Sequence, residues 1–183
     1  MVRGKLAFRH AAPWFLLALG SLPAGGGQGT AVQTLSATLN PNGALTTPGT
    51  ATLSKSLTSF QPFTATLPVS YQVRTTPGGS GGTITLQVNN DFSPSGGPSA
   101  AGGALTYVCS GANLGTACSG TQTASTTTST PVLTVPASAC TGGGGACSSQ
   151  NPNSMNLTFT LVDSPVYSTG TYSANVTFTI SAM

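Results

Sequence analysis

Residues 171–182 alternate between two side-chain classes with a period of two. Tyr172, Ala174, Val176, Phe178 and Ile180 fall on one side. Thr171, Ser173, Asn175, Thr177, Thr179 and Ser181 fall on the other. Successive side chains of a strand point to opposite faces, so this pattern predicts a β-strand with one buried face. The strand runs almost to the last residue, which places the end of the chain inside its own core. A terminal strand with this much apolar surface needs a pairing partner. What that partner is becomes the leading question about function.

The same period recurs upstream. Leu67, Val69, Tyr71 and Val73 alternate with polar residues over 67–74, and Ile84, Leu86 and Val88 do so over 83–89. The glycine-rich turn at 76–82 between them predicts a hairpin. Leu105 and Tyr107 mark a strand over 104–109, Val132, Leu133 and Val135 one over 131–136, and Leu157, Phe159 and Leu161 one over 156–162. Weaker strands are expected over 32–39, carrying Val32, Leu35, Ala37 and Leu39, and over 51–57. Pro41, Asn42 and Gly43 read as a turn, residues 91–103 as a loop, and 121–130 as an exposed Ser/Thr strand or loop. No helical period of useful length follows the first thirty residues. About seven or eight short strands set apart by Gly, Pro and Asn turns predict an all-β fold, an immunoglobulin-like antiparallel β-sandwich. An outer-membrane barrel fits poorly, because its strands need about 9–11 residues and two aromatic girdles.

Charge is nearly absent from this part of the chain. Beyond residue 30 only Lys55, Arg74, Asp91 and Asp163 are charged, there is no Glu, and the single His is His10. The formal net charge of +3 therefore comes from Arg3, Lys5 and Arg9. No basic patch for nucleic acid and no polybasic membrane contact is expected. The three cations precede an apolar run with Trp14, Phe15, Leu16, Leu17 and Leu19, and small residues follow from Ala24 to Ala31. That is the layout of a secretory signal peptide. Residues 1–29 are expected to be signal peptide and leader, and 30–183 a single β-sandwich domain. Membrane contact is expected only through the signal peptide, and the mature protein is expected to be secreted or held at the cell surface.

Cys109, Cys118, Cys140 and Cys147 form an even set in an exported chain, which points to disulfides. Short spacing favours Cys109–Cys118 and Cys140–Cys147, each closing a glycine-bearing loop tip; a crossed pairing would join the two loops. The spacings match neither a zinc site nor a C-x-x-C redox motif.

Acid–base chemistry is thinly provided. Asp91 and Asp163 sit in turn settings, where a carboxylate bonds nearby backbone N–H groups. With His10 confined to the signal segment, a Ser-His-Asp triad cannot form. No enzyme activity, cofactor or metal is expected. Phe60, Phe63 and Phe92 are expected to plug the ends of the sandwich. Asn156 and Asn175 open Asn-x-Thr sequons on the polar faces of expected strands.

The ending YSTGTYSANVTFTISAM resembles the C-terminal strand of spore coat protein U-like proteins and archaic chaperone–usher pilin subunits. The resemblance is carried by 169–182, together with a signal peptide followed by one Ser/Thr/Gly-rich β domain. It implies an incomplete immunoglobulin-like fold. The assembly strand of Tyr172, Ala174, Val176, Phe178 and Ile180 would be completed first by a periplasmic chaperone at an usher and then by the N-terminal segment of the next subunit. The donor would be residues 31–39, with Val32, Leu35, Ala37 and Leu39. Two features depart from the family pattern: the cysteines all lie between 109 and 147, and the donor has few large side chains. The expected function is that of a non-catalytic exported structural subunit, homo-polymeric and assembled by β-strand addition. The alternative is a self-contained secreted β-sandwich that binds a protein or glycan through disulfide-stapled loops.

Overall fold

The computed structural model describes residues 33–38, 40, 42–55, 59–75, 81–136, 138 and 152–182. Chain contacts divide the protein into Met1–Ala37 and Thr38–Met183, and every described strand lies in the second unit. It is all-β. Nine strands are described: β1 (Asn42–Thr46), β2 (Phe63–Arg74), β3 (Gly82–Ser93), β4 (Leu105–Ser110), β5 (Thr116–Ala117), β6 (Gln122–Thr123), β7 (Thr130–Val135), β8 (Asn153–Leu161) and β9 (Ser173–Ala182). They form two antiparallel sheets, a five-stranded one in the order β1-β2-β8-β4-β6 and a four-stranded one in the order β5-β7-β3-β9.

The period-two pattern explains why these two layers close on each other. Leu67, Val69, Tyr71 and Val73 of β2, Met155, Leu157, Phe159 and Leu161 of β8, and Leu105 and Tyr107 of β4 are buried on the inner face of the larger sheet. Ile84, Leu86 and Val88 of β3 and Val132, Leu133 and Val135 of β7 are buried on the inner face of the smaller one. Fully burying one such side chain stabilises the fold by about 1.5–3 kcal/mol relative to leaving it in water. The outward positions are mostly Thr, Ser and Asn, which suit a solvated sheet face without charge.

Three sequence expectations change. β2 and β3 do not pair as a hairpin. β2 lies between β1 and β8, and β3 between β7 and β9. Pairing them would have put both apolar sets on one sheet, whereas separating them lets the two sets face each other across the core. The Pro41-Asn42-Gly43 turn is replaced from Asn42 onward by strand β1, in register with Ser70–Arg74 of β2. Gly43 marks a close approach of backbone to side chain, a positional use of glycine within a strand. A Cβ at residue 43 would lie 2.9 Å from Ile180 Cγ1. Of the strand expected over 51–57, the described residues 51–55 form one bridge, between Ser54 and Thr64. The segment 121–130, expected as an exposed strand or loop, is a loop carrying the two residues of β6 and ending at Thr130, where β7 begins.

The sandwich has two poles. At one, Asn42 opposes Arg74, and Gly82 opposes both Val135 and Ala182. At the other, Phe63 and Leu105 oppose Leu161, and Ser93 opposes Ser173. The loops leading into β2, joining β3 to β4 and joining β8 to β9 meet there.

Candidate functional site

β9 keeps the alternation read from the sequence, and its position gives that alternation a different weight. Among the described residues its only strand neighbour is β3. In an antiparallel edge strand, half of the backbone N–H and C=O groups point away from the sheet. The inward set Ala174, Val176, Phe178, Ile180 and Ala182 packs against the core but remains half-buried. Full burial of Phe178 was the expectation. The edge position is the reason it stops halfway: each side chain is covered by β3 on one flank only. Across the sandwich, β9 meets β1 where Ile180 fills the space over Gly43. β1 has five residues and β9 has ten, so β1 covers the facing side of β9 incompletely.

Tyr172, expected within the terminal strand, falls outside β9, which begins at Ser173. Its ring lies where a side chain on residue 97 would go, with a hypothetical Cβ only 2.2 Å from Cε1. Its hydroxyl donates to Ser168 O at 2.7 Å. Tyr172 thus locks the β3–β4 and β8–β9 loops together, and Gly97 is the residue that makes room for it.

Of the candidate donor residues, Val32 and Leu39 lie outside the described residues. Leu35 is 91% exposed and Ala37 is exposed. Residues 33–38 belong to no strand, so the strand expected there is not formed within the described chain.

The opposite side of the sandwich is built differently. Its edge strands, β5 and β6, have two residues each. Cys109 and Cys118 form the expected disulfide, with Cα atoms 5.3 Å apart. The bridge does more than close a loop tip: Cys109 lies on β4 of the larger sheet, and Cys118 follows β5 and donates its N–H to Val132 O of β7. It therefore links the two layers. Cys140 and Cys147 lie outside the described residues. The Tyr107 hydroxyl also crosses between layers, lying 2.7 Å from Thr130 Oγ1 and donating to Pro131 O at 2.8 Å. The chain between β6 and β7 bonds to both sheets, through Ala124 N–H to Leu105 O and Val88 N–H to Ser125 O. Burial pushes the Tyr107 phenol above its ordinary value, partly offset by Thr130. Burial likewise raises Tyr71, partly offset by its bond to Leu114 O.

The few charged groups serve the loops. Asp91 accepts hydrogen bonds from Ser99 Oγ and from the N–H groups of Phe92, Ala100 and Ala101. Burial alone would raise its carboxyl, but Ser99 and the three N–H groups outweigh it and hold the pKa below the ordinary value. Asp163 does not cap its own turn as expected. It pairs with Lys55 at 2.6 Å, and the Lys55 ammonium sits 4.9 Å from the centre of the Phe63 ring. Phe63 and Phe92 pack against the core as expected, whereas Phe60 is 56% exposed. A shallow groove between 48–54 and 64–68 is lined by Pro48, Thr50, Thr52, Thr64, Thr66 and Pro68. These residues offer hydrogen bonds and methyl groups but no ionisable group. Among the described residues no cluster of three His, Cys, Asp or Glu side chains could hold a metal ion. Asn156 and Asn175 are exposed on the polar faces of β8 and β9.

The chemistry this surface offers is backbone hydrogen bonding along β9, backed by a half-covered apolar row. Comparison with protein-family models, with curated proteins and with solved structures found no match for the chain.

Proposed function

We propose that this protein is a non-catalytic exported structural subunit that assembles by β-strand addition, residues 31–39 of one copy pairing with the free edge of β9 in another. The observation that carries this is the β9 edge itself: ten residues without a charge or a proline and, among the described residues, without an outer neighbour, over an apolar row that is only half-buried. Soluble proteins usually blunt such an edge because it templates pairing with other chains. Strand addition gives affinity through main-chain hydrogen bonds and specificity through alternate side chains. Leu35, Ala37 and Leu39 share one face of the donor and supply those side chains. Val32 is out of phase with them in the sequence. Export is supported by the N-terminal sequence and by a disulfide suited to an oxidising compartment. The similarity of 169–182 to coat and pilin subunits agrees with the same function.

Topology favours pairing between copies over pairing within one. The donor joins its own domain at the Asn42 pole, where β9 ends. Folded back along its own β9, it would run parallel to that strand. A donor from another copy can approach from the opposite pole and run antiparallel, the slightly more stable arrangement. A hairpin back onto β1 would need Asn40-Pro41 as its loop, and proline is poorly suited to the positive φ angles such loops favour.

The test is a pair of aspartates at Leu35 and Leu39 in the chain from residue 30. Charges on the inward face of the donor should abolish polymer in size-exclusion chromatography while leaving the thermal midpoint of the dilute monomer unchanged. A protein that stays monomeric before substitution, and loses monomer stability after it, is instead a self-contained binding module.

A further inference from the structure

The loop pole, opposite Asn42, collects apolar surface that the fold does not use. Phe60 is 56%, Val162 48% and Val166 82% exposed. Among the described residues of Thr38–Met183, Val108 is the one other large apolar side chain so exposed, and it lies on the outer face of β4. Phe60 also has a φ of +54°, a left-handed conformation that bulky residues seldom adopt. Strain of this kind persists only where the surroundings hold it, and it concentrates at functional positions. The loops that meet at this pole are tied to the rest of the domain: Ser168 N–H donates to Gly96 O at 2.8 Å, Val162 N–H to Ala104 O at 2.9 Å, and Lys55 pairs with Asp163.

We propose that this loop pole is the seat for the Asn42 pole of the next copy, so that each junction between subunits combines strand addition with an apolar end-to-end contact. The proposal rests on strand addition between copies. Antiparallel to β9, a donor places residue 39 beside Ser173 at the loop pole and residue 31 beside the end of β9. The nine donor residues match the ten of β9. From residue 39 to Asn42 the chain reaches at most about 10 Å. The domain that owns the donor is therefore held against the loop pole of the acceptor. Its departure point is fixed as well, because Arg74 Nε donates to Asn40 O at 2.6 Å. Phe60, just before β2, and Val162 and Val166, just after β8, are the exposed apolar residues at the pole that this domain would adjoin.

The experiment is site-specific photo-crosslinking in the chain from residue 30. A benzophenone amino acid replaces Val166 in one protein and Val108 in a control, and both positions are exposed enough to accept it. In assembled material, position 166 should crosslink to a second copy at residues around 40–42 and 74–75, and position 108 should not reach them. Val166→Lys should reduce polymer several-fold while a labelled synthetic peptide of residues 31–39 binds the chain as before. Unchanged polymer with Val166→Lys, or crosslinks from 166 confined to its own chain, overturns the seat and leaves strand addition standing. Absence of both polymer and peptide binding overturns both.

Discussion

On one side of the sandwich the two sheets stop at β5 and β6, each two residues long; on the other they stop at β1 and β9, five and ten residues long. The first side is bridged by the Cys109–Cys118 disulfide, by the Tyr107 hydroxyl and by backbone bonds from the β6–β7 connection. The second is bridged by side-chain packing such as Ile180 over Gly43. Among the described residues, the usual protections of a sheet edge are therefore present on one side and absent on the other. Short strands and covering loops prevent unwanted pairing. A long edge without charge, left beside a half-buried apolar row, is the feature on which the proposed acceptor role rests.

The largest expected effect separates the two sides by mutation. Leu133, on β7 beside the closed edge, is 2% exposed, and Leu133→Ala should cost about 2–5 kcal/mol in urea melts. Ile180→Ala should cost clearly less in dilute monomer, because Ile180 is only half-buried, and the gap should narrow when the peptide of residues 31–39 is bound. Phe178→Ala should likewise fall below the about 3–5 kcal/mol typical of a buried aromatic. Equal losses at 133 and 180 in the monomer would break the comparison.

The disulfide comes next. Replacing Cys109 and Cys118 together by Ser opens a loop with a sequence separation of 9. The expected loss is roughly 2–3 kcal/mol on a loop-entropy basis. Since the bridge also joins the sheets, hydrogen exchange in β5 and β7 should quicken more than in β9.

The period-two signal made β2, β3, β8 and β9 legible in the sequence, because each has one buried face. It could not assign those strands to sheets. Both β2 and β3 bury every second residue, and the alternation is the same whether they pair or face each other. β1 was hidden by Asn42-Gly43, whose composition signals a turn; only the packing of Ile180 shows why glycine stands in a strand there. The Cys109–Cys118 pairing was readable from spacing, but its role across two layers depends on where β4 and β5 lie. Lys55–Asp163, 108 residues apart, and the exposed Phe60 left no local signal. Within the site, the inward row of β9 was evident, and its half-burial followed only from the edge position.

A smaller effect tests the closed side through Tyr107. Tyr107→Phe leaves Pro131 O without its bond and should cost about 1–3 kcal/mol. The phenols of Tyr71 and Tyr107 both have folded pKa values above the ordinary one, so the folded state disfavours their ionisation. Their contribution is complete below the unfolded value of about 10 and declines as pH rises through the folded values. Alkaline melts should therefore show a declining midpoint, less steep in Tyr107→Phe.

The smallest effect belongs to the loop beside the start of β9. The Asp91 pKa is depressed, so its contribution is present above the unfolded value of about 3.9 and is lost as pH falls through the lower folded value. Asp91→Asn should be less stable than the parent at neutral pH, and the two should converge in acid. A gap that persists in acid would mean the loop depends on shape more than on the carboxylate.

Hydrogen exchange of the β9 amides, with and without the peptide of residues 31–39, tests the central claim most directly. In dilute monomer, alternate amides of Ser173–Ala182, those pointing away from β3, should exchange quickly while the others are protected. Bound peptide should protect the fast set, and polymer should show the same protection without added peptide. Protection of every β9 amide in the dilute monomer, or fast exchange that the peptide leaves unchanged, would contradict an open edge filled by another copy.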